Sequence, residues 1–252
     1  MRRPLLALAI VVLLAAGCGD DDETTTTGTT TSAPAETTTT STADPASPAA
    51  DEDGDLPGER IELFPYEDAA LAVVGVEADD VLHVRGAPDP GAEVLTELDP
   101  LEDGFTATGH NRQIDGDAIW VEVDTGEDRG WVNGAYVAQL GDTGDATSRL
   151  YPEVADRPRA DTLVLLAEQV AADAAGGGGE GEPALRVVIV DGPSVGDLGE
   201  VTVDVLGYPD DSVYGERLHV FASEEGGESF TVRTVEATTL CRRGVDDEGR
   251  CV

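Results

Sequence analysis

The chain has 252 residues, enough for one or two small domains. It carries 52 Asp and Glu against 15 basic residues, all of them Arg, for a formal charge of −37. Nucleic-acid binding depends on cations that neutralise phosphates, so this balance excludes it, and it also repels anionic lipid headgroups.

Met1-Arg2-Arg3 is a short basic start, and Leu5 to Ala16 is an unbroken apolar run that ends at Gly17-Cys18. Asp20-Asp21-Asp22-Glu23 then turns the chain acidic. This is the pattern of a secretion signal over residues 1–17, and the run is too short for the roughly 20 residues of a membrane span. The stretch Leu14-Ala15-Ala16-Gly17-Cys18 resembles the bacterial lipobox. That resemblance implies a lipid on Cys18, a mature chain beginning there, and attachment to the extracytoplasmic face of the cell membrane. Acyl chains contribute about 0.8 kcal/mol per buried CH₂, so two or three of them anchor stably. An ordinary cleaved signal with an incidental cysteine is the alternative.

Residues 18–58 are low in complexity, with Thr24-Thr25-Thr26-Thr27 and Thr37-Thr38-Thr39-Thr40 set among Ala, Pro, Ser and Asp. So few apolar side chains cannot offset the entropy of ordering, and the segment reads as a disordered stalk. It is either O-glycosylated or a plain spacer. Such a stalk has an r.m.s. reach of roughly 35 Å and stands the folded part off the lipid.

Residues 61–140 read as short strands with turns between them. The strands are Ala72–Val76, Val81–Arg85, Val94–Leu98, Gly104–Thr108, Ile119–Val123 and Gly130–Val132. Leu82 and Val84 face inward while His83 and Arg85 face out. Thr125 to Asp128 is a hairpin turn between the last two strands, and Gly109 to Asp117 is a long loop.

Three segments here resemble the bacterial SH3-like (SH3b) family. That family carries Leu-Asn-Val-Arg-x-Gly-Pro, then a Trp-x-x-Val strand, then Gly-Trp-Val followed by an aromatic. In this chain they are Leu82-His83-Val84-Arg85-Gly86-Ala87-Pro88, Trp120-Val121-Glu122-Val123, and Gly130-Trp131-Val132 with Tyr136. His83 stands where the family has Asn, Gly86-Ala87 rearranges the glycine, and the resemblance covers less than a third of the chain. It implies a small SH3-like barrel and a cell-wall (peptidoglycan) ligand. Arg85, Trp120, Trp131 and Tyr136 are the candidate binding residues, since Trp, Tyr and Arg dominate recognition surfaces. The two tryptophans could equally fill the core of a small barrel.

Residues 149–180 form a helix and a glycine-rich linker. Leu163, Leu166, Ala167 and Val170 recur at i, i+3, i+4 and i+7 to give one apolar face, and Gly176 to Gly179 ends the helix. What the helix packs on is left open by its sequence. Residues 184–252 return to strands and turns, with no family resemblance. Leu185 to Val190 reads as a central strand, and Val201 to Val205 alternates apolar in and polar out. Arg217–Phe221 and Ser229–Val235 complete a small sandwich or barrel. With Cys18 assigned to lipid, Cys241 and Cys251 are an even pair in an oxidising compartment, and they are expected to form a disulfide. Two cysteines with no nearby histidine lack the four ligands of a zinc site.

The expected fold class is therefore all-β: an SH3-like barrel, a short helix and a second small β domain. No catalytic set is present. His83, His110 and His219 have no recognisable nucleophile motif around them, and no Gly-x-Ser-x-Gly elbow occurs. The acidic pairs do not follow a calcium-loop spacing, so neither metal nor cofactor is expected. The reading is a non-enzymatic envelope lipoprotein, with the membrane as partner through Cys18 and peptidoglycan as ligand. The alternative is a scaffold or accessory subunit whose C-terminal β domain docks an envelope enzyme or transporter. Neither half is large enough for the two-lobed cleft of a solute-binding lipoprotein.

Overall fold

The computed structural model describes residues 56–252 apart from 115, 117 and 177–184. The signal segment, Cys18, the stalk up to residue 55 and most of the glycine linker lie outside the described residues. The fold is mostly β. Thirteen strands run as β1 (Glu59–Ile61), β2 (Ala70–Val73), β3 (Leu82–Arg85), β4 (Val94–Leu98), β5 (Asp103–Ile114), β6 (Ala118–Asp124) and β7 (Arg129–Asn133). They continue as β8 (Val137–Asp145), β9 (Arg159–Ala160), β10 (Arg186–Val195), β11 (Gly199–Leu206), β12 (Val213–Glu225) and β13 (Ser229–Cys241). Two helices, α1 (Thr147–Leu150) and α2 (Leu163–Ala174), fall between β8 and β10.

The strands pair in the order β10-β11-β12-β13-β8-β2-β5-β6-β7-β3-β4, with β1 added on β5 and β9 on β13. The described residues form one compact unit. The strand that joins its two halves is β8. Its first residues, Val137 and Ala138, pair with Val73 and Ala72 of β2, while Gln139 to Asp145 pair with β13. The polar end of β8 needs no apolar face, because it is held by backbone pairing and by the Thr143 hydroxyl 2.7 Å from that of Thr238.

Each half has its own core. In the first, Leu71, Val73, Leu82, Val84, Val121 and Val132 are buried together, and the expected alternation in β3 is found: Leu82 and Val84 are buried, His83 and Arg85 partly exposed. In the second, the helix supplies the cover. Thr162 caps α2 by accepting from the Leu165 amide. Leu163, Leu166, Ala167 and Val170, the apolar face legible in the sequence, are all buried against Val201, Val203, Val205 and Leu218. A third, smaller cluster joins the halves through Val74 and Ala138 on one side and Leu206 and Leu240 on the other.

Four sequence expectations need correction. The strand expected over Ala72–Val76 ends at Val73, because the chain turns at Gly75, where φ is +63°. Gly109 to Asp117 is not a long loop: β5 continues to Ile114. Gly109 at φ +80° absorbs a bulge between Ala107 and Asn111, after which pairing with β6 resumes. The run Leu185–Val190 is not a central strand: Arg186 to Val190 lie in β10, at the end of the sheet order, and Leu185 precedes it. Of that apolar run only Val190 is buried, and part of the free edge is occupied by the Ala78 amide, which donates to the Ile189 carbonyl at 3.0 Å. Finally, Val201–Val205 of β11 does not turn its polar residues to water: Asp204 is 0% and Thr202 5% accessible, and only Glu200, before them, is partly exposed. Both faces of β11 are covered, and Asp204 has buried partners.

Those partners form a clamp between the halves. Arg217 donates from Nε and Nη2 to the two Asp204 carboxylate oxygens at 2.8 and 2.9 Å. Its Nη2 also donates to the Val73 carbonyl at 2.7 Å, and the Gly75 amide donates to Asp204 Oδ2 at 2.8 Å. The charges come from the second half and the backbone groups from the first.

The C-terminal tail is tied by the Cys241–Cys251 disulfide, a bridge between Val245 and Cys251, and the Asp142 amide donating to the Gly249 carbonyl. With the cysteines ten positions apart, replacing both by Ser is expected to lower stability by about 2.7 kcal/mol on the chain-entropy estimate. Urea unfolding of that variant and the oxidised parent gives the comparison; equal midpoints would show that the sheet alone holds the tail.

Candidate functional site

The turn after β2 does more than join strands. Val76 to Asp80 pass along the edge of β10, and an open groove of about 590 Å³ lies there between the two halves. That volume is in the range of sites for small ligands. Val76, Leu82, Trp120 and Val188 contribute the apolar part of its lining. Charged and polar groups stand around it: Glu77, Asp80, His83, Arg85, Tyr136 and Arg186.

Three of the four candidate binding residues meet here. Tyr136, half-buried after β7, and Arg85, at the end of β3, both line the groove, and Trp120 forms part of its wall although only 5% exposed. Trp131 is 2% exposed, pairs in register with Arg85 and Glu122, and is not among the lining residues. Arg85 is oriented from within its own half, with Nη1 donating to the Ala92 carbonyl at 2.8 Å and Nη2 3.1 Å from His83 Nδ1. The other side of that imidazole, Nε2, is 3.4 Å from Glu97.

The opposite side of the groove comes from β10. Arg186 lays its guanidinium over the Tyr136 ring, 5.2 Å from the centroid, within the reach of a cation–π contact. Gly75 makes room for it, since a Cβ at that position would meet the Arg186 guanidinium and the Leu206 side chain. No local signal in the sequence marks Arg186, which opens an apolar strand in the half without a family resemblance.

The other histidines are engaged elsewhere. His110 Nδ1 lies 2.9 Å from Glu122 Oε2, and the Thr108 hydroxyl donates to that same oxygen at 2.6 Å. A hydroxyl bonded to the carboxylate instead of the imidazole does not follow the nucleophile–base–orienter order of a hydrolytic triad. His219 sits 3.5 Å from Glu200 and stacks obliquely on Phe221. The Tyr151 phenol is pushed well above its usual range by burial and by the Asp173 carboxylate it donates to, so it serves as a structural donor. A second hollow of about 360 Å³ lies between Phe64, Ile119 and Tyr214. Among the described residues, no group of acidic, His or Cys side chains is placed to hold a metal ion. No helix among them is long and apolar enough to cross a membrane.

Comparison with protein-family models, with curated proteins and with solved structures finds no match. The site therefore has to be read from its own chemistry.

Proposed function

We propose that this chain is a lipid-anchored protein of the bacterial cell envelope whose first half is an SH3-like, non-catalytic module that binds the peptide part of peptidoglycan. The anchor is Cys18, and the stalk carries the folded part away from the lipid surface. The observation that carries the reading is the convergence of Arg85, Trp120 and Tyr136 on one groove. Each comes from a different one of the three segments that resemble the SH3-like family. A protein-docking reading draws on a different feature, the edge strand β4, where Val94 and Leu95 are 38% and 41% exposed.

The test is co-sedimentation of the full chain carrying Cys18→Ser with purified peptidoglycan across a salt series. Binding that persists in high salt and falls in Tyr136→Ala, with the fold intact by circular dichroism, is the expected result. A protein that stays in the supernatant at every salt concentration would end the cell-wall reading and leave the docking one. For the anchor, mass spectrometry of the parent from its membrane fraction should show a diacylated N-terminal Cys18, and Cys18→Ala should release the protein from that fraction.

A further inference from the structure

The groove holds two kinds of charge that do not neutralise each other. In a chain this acidic, five exposed guanidinium groups, those of Arg129, Arg149, Arg159, Arg243 and Arg250, pair with Asp or Glu, while Arg242 lies over the Tyr214 ring and Arg157 bonds the Arg233 carbonyl. The two arginines of the groove do not pair with Asp or Glu. Arg85 is bonded to a carbonyl and an imidazole, Arg186 lies on an aromatic ring, and neither has a carboxylate partner among the described residues. Glu77 and Asp80, exposed on the same groove, likewise have no arginine partner there; Asp80 only accepts from the adjacent Val81 amide.

We infer that the groove recognises a zwitterionic peptide end. In this assignment a carboxylate is held by Arg186, with Arg85 facing it from the other side of the groove, and an ammonium by Glu77 and Asp80. An anionic ligand with no positive group would be repelled by Glu77 and Asp80. A cationic one with no negative group would be repelled by the two arginines. A ligand that carries both charges satisfies each set of groups, and Val76, Leu82 and Val188 offer apolar contacts to its methylene groups. Charge-assisted hydrogen bonds to a carboxylate, bidentate from a guanidinium, are the strong ones in such a setting. The inference deepens the proposed function and rests on it, because wall stem peptides are one source of such an end. It also gives the second half a role: Arg186 belongs to β10, so the first half alone has an incomplete site.

The test is calorimetric titration of the full Cys18→Ser chain with three synthetic tripeptides: Ala-Glu-Lys with a free carboxylate, its C-terminal amide, and its side-chain-acetylated form. Amidation and acetylation are each expected to weaken Kd about tenfold or more, the loss of one charge-assisted contact. Arg186→Gln should make acid and amide bind alike while still discriminating against acetylation. The double variant Glu77→Gln, Asp80→Asn should do the reverse. All three substituted residues are exposed, so folding is not at stake, and circular dichroism checks it.

Equal binding of acid and amide by the parent, or discrimination that survives Arg186→Gln, overturns the inference, as does the absence of binding to any of the three. Co-sedimentation with peptidoglycan separates the two ideas. Wall binding with charge-insensitive peptides leaves the wall reading standing and removes this one. Charge-sensitive peptide binding without wall binding keeps this one and moves the ligand to another peptide source.

Discussion

Asp204→Ala is expected to cost about 3–5 kcal/mol of folding stability, the range for breaking one side of a buried ion pair. Asp204 is fully buried, and the Arg217 side chain is 11% exposed. Removing the carboxylate leaves a guanidinium out of water with only the Val73 carbonyl to bond, and strands the Gly75 amide as well. Desolvation, not lost attraction, dominates that cost. The double variant Asp204→Leu, Arg217→Met is therefore expected to be more stable than the single one, because no charge remains to be desolvated. Urea unfolding of the three proteins decides it. A single variant within about 1 kcal/mol of the parent would mean that water reaches the site and the clamp is not a buried pair. Because the clamp holds the turn that carries Val76 to Asp80, proteolysis of the single variant should also cut first between Val73 and Val81.

That clamp shows where a reading of the sequence stops. Alternation in β3 and the heptad-like face of α2 are local: every residue needed to see them lies within one segment, and the structure buries the expected side chains. Asp204 stands in an equally regular alternation, yet the group that covers it, the Gly75 amide, is 129 positions away. A pattern within one strand cannot say whether its polar face meets water or another part of the chain. The same limit hid the polar end of β8. Gly141 to Asp145 has turn-like composition, and it is a strand because β13 offers a backbone edge to pair with. The site divides along the same line. Arg85, Trp120 and Tyr136 stand in segments that carry their own motifs, whereas Arg186 acquires its place only when β10 packs beside the turn at Gly75.

The helix gives the second large effect, and it separates packing from propensity. Leu165 and Leu166 are neighbours in α2, one 51% exposed and the other fully buried. Both substitutions to Ala keep a strong helix former, so intrinsic propensity changes little in either case. Leu166→Ala removes a side chain from between the helix and the sheet core of Val201, Val203 and Leu218, and is expected to cost about 2–5 kcal/mol through lost transfer energy and the cavity left behind. Leu165→Ala should stay within about 0.5 kcal/mol of the parent, as exposed substitutions do. Urea midpoints of the two variants, measured side by side, are the check. Equal losses would mean that the helix is held by its own hydrogen bonds and caps instead of by the sheet. A large loss confined to Leu166 would mean that α2 is the second core's outer layer. Its loosening would then bare the apolar face of β11 and β12, and the Leu166 variant should be the one that aggregates on warming.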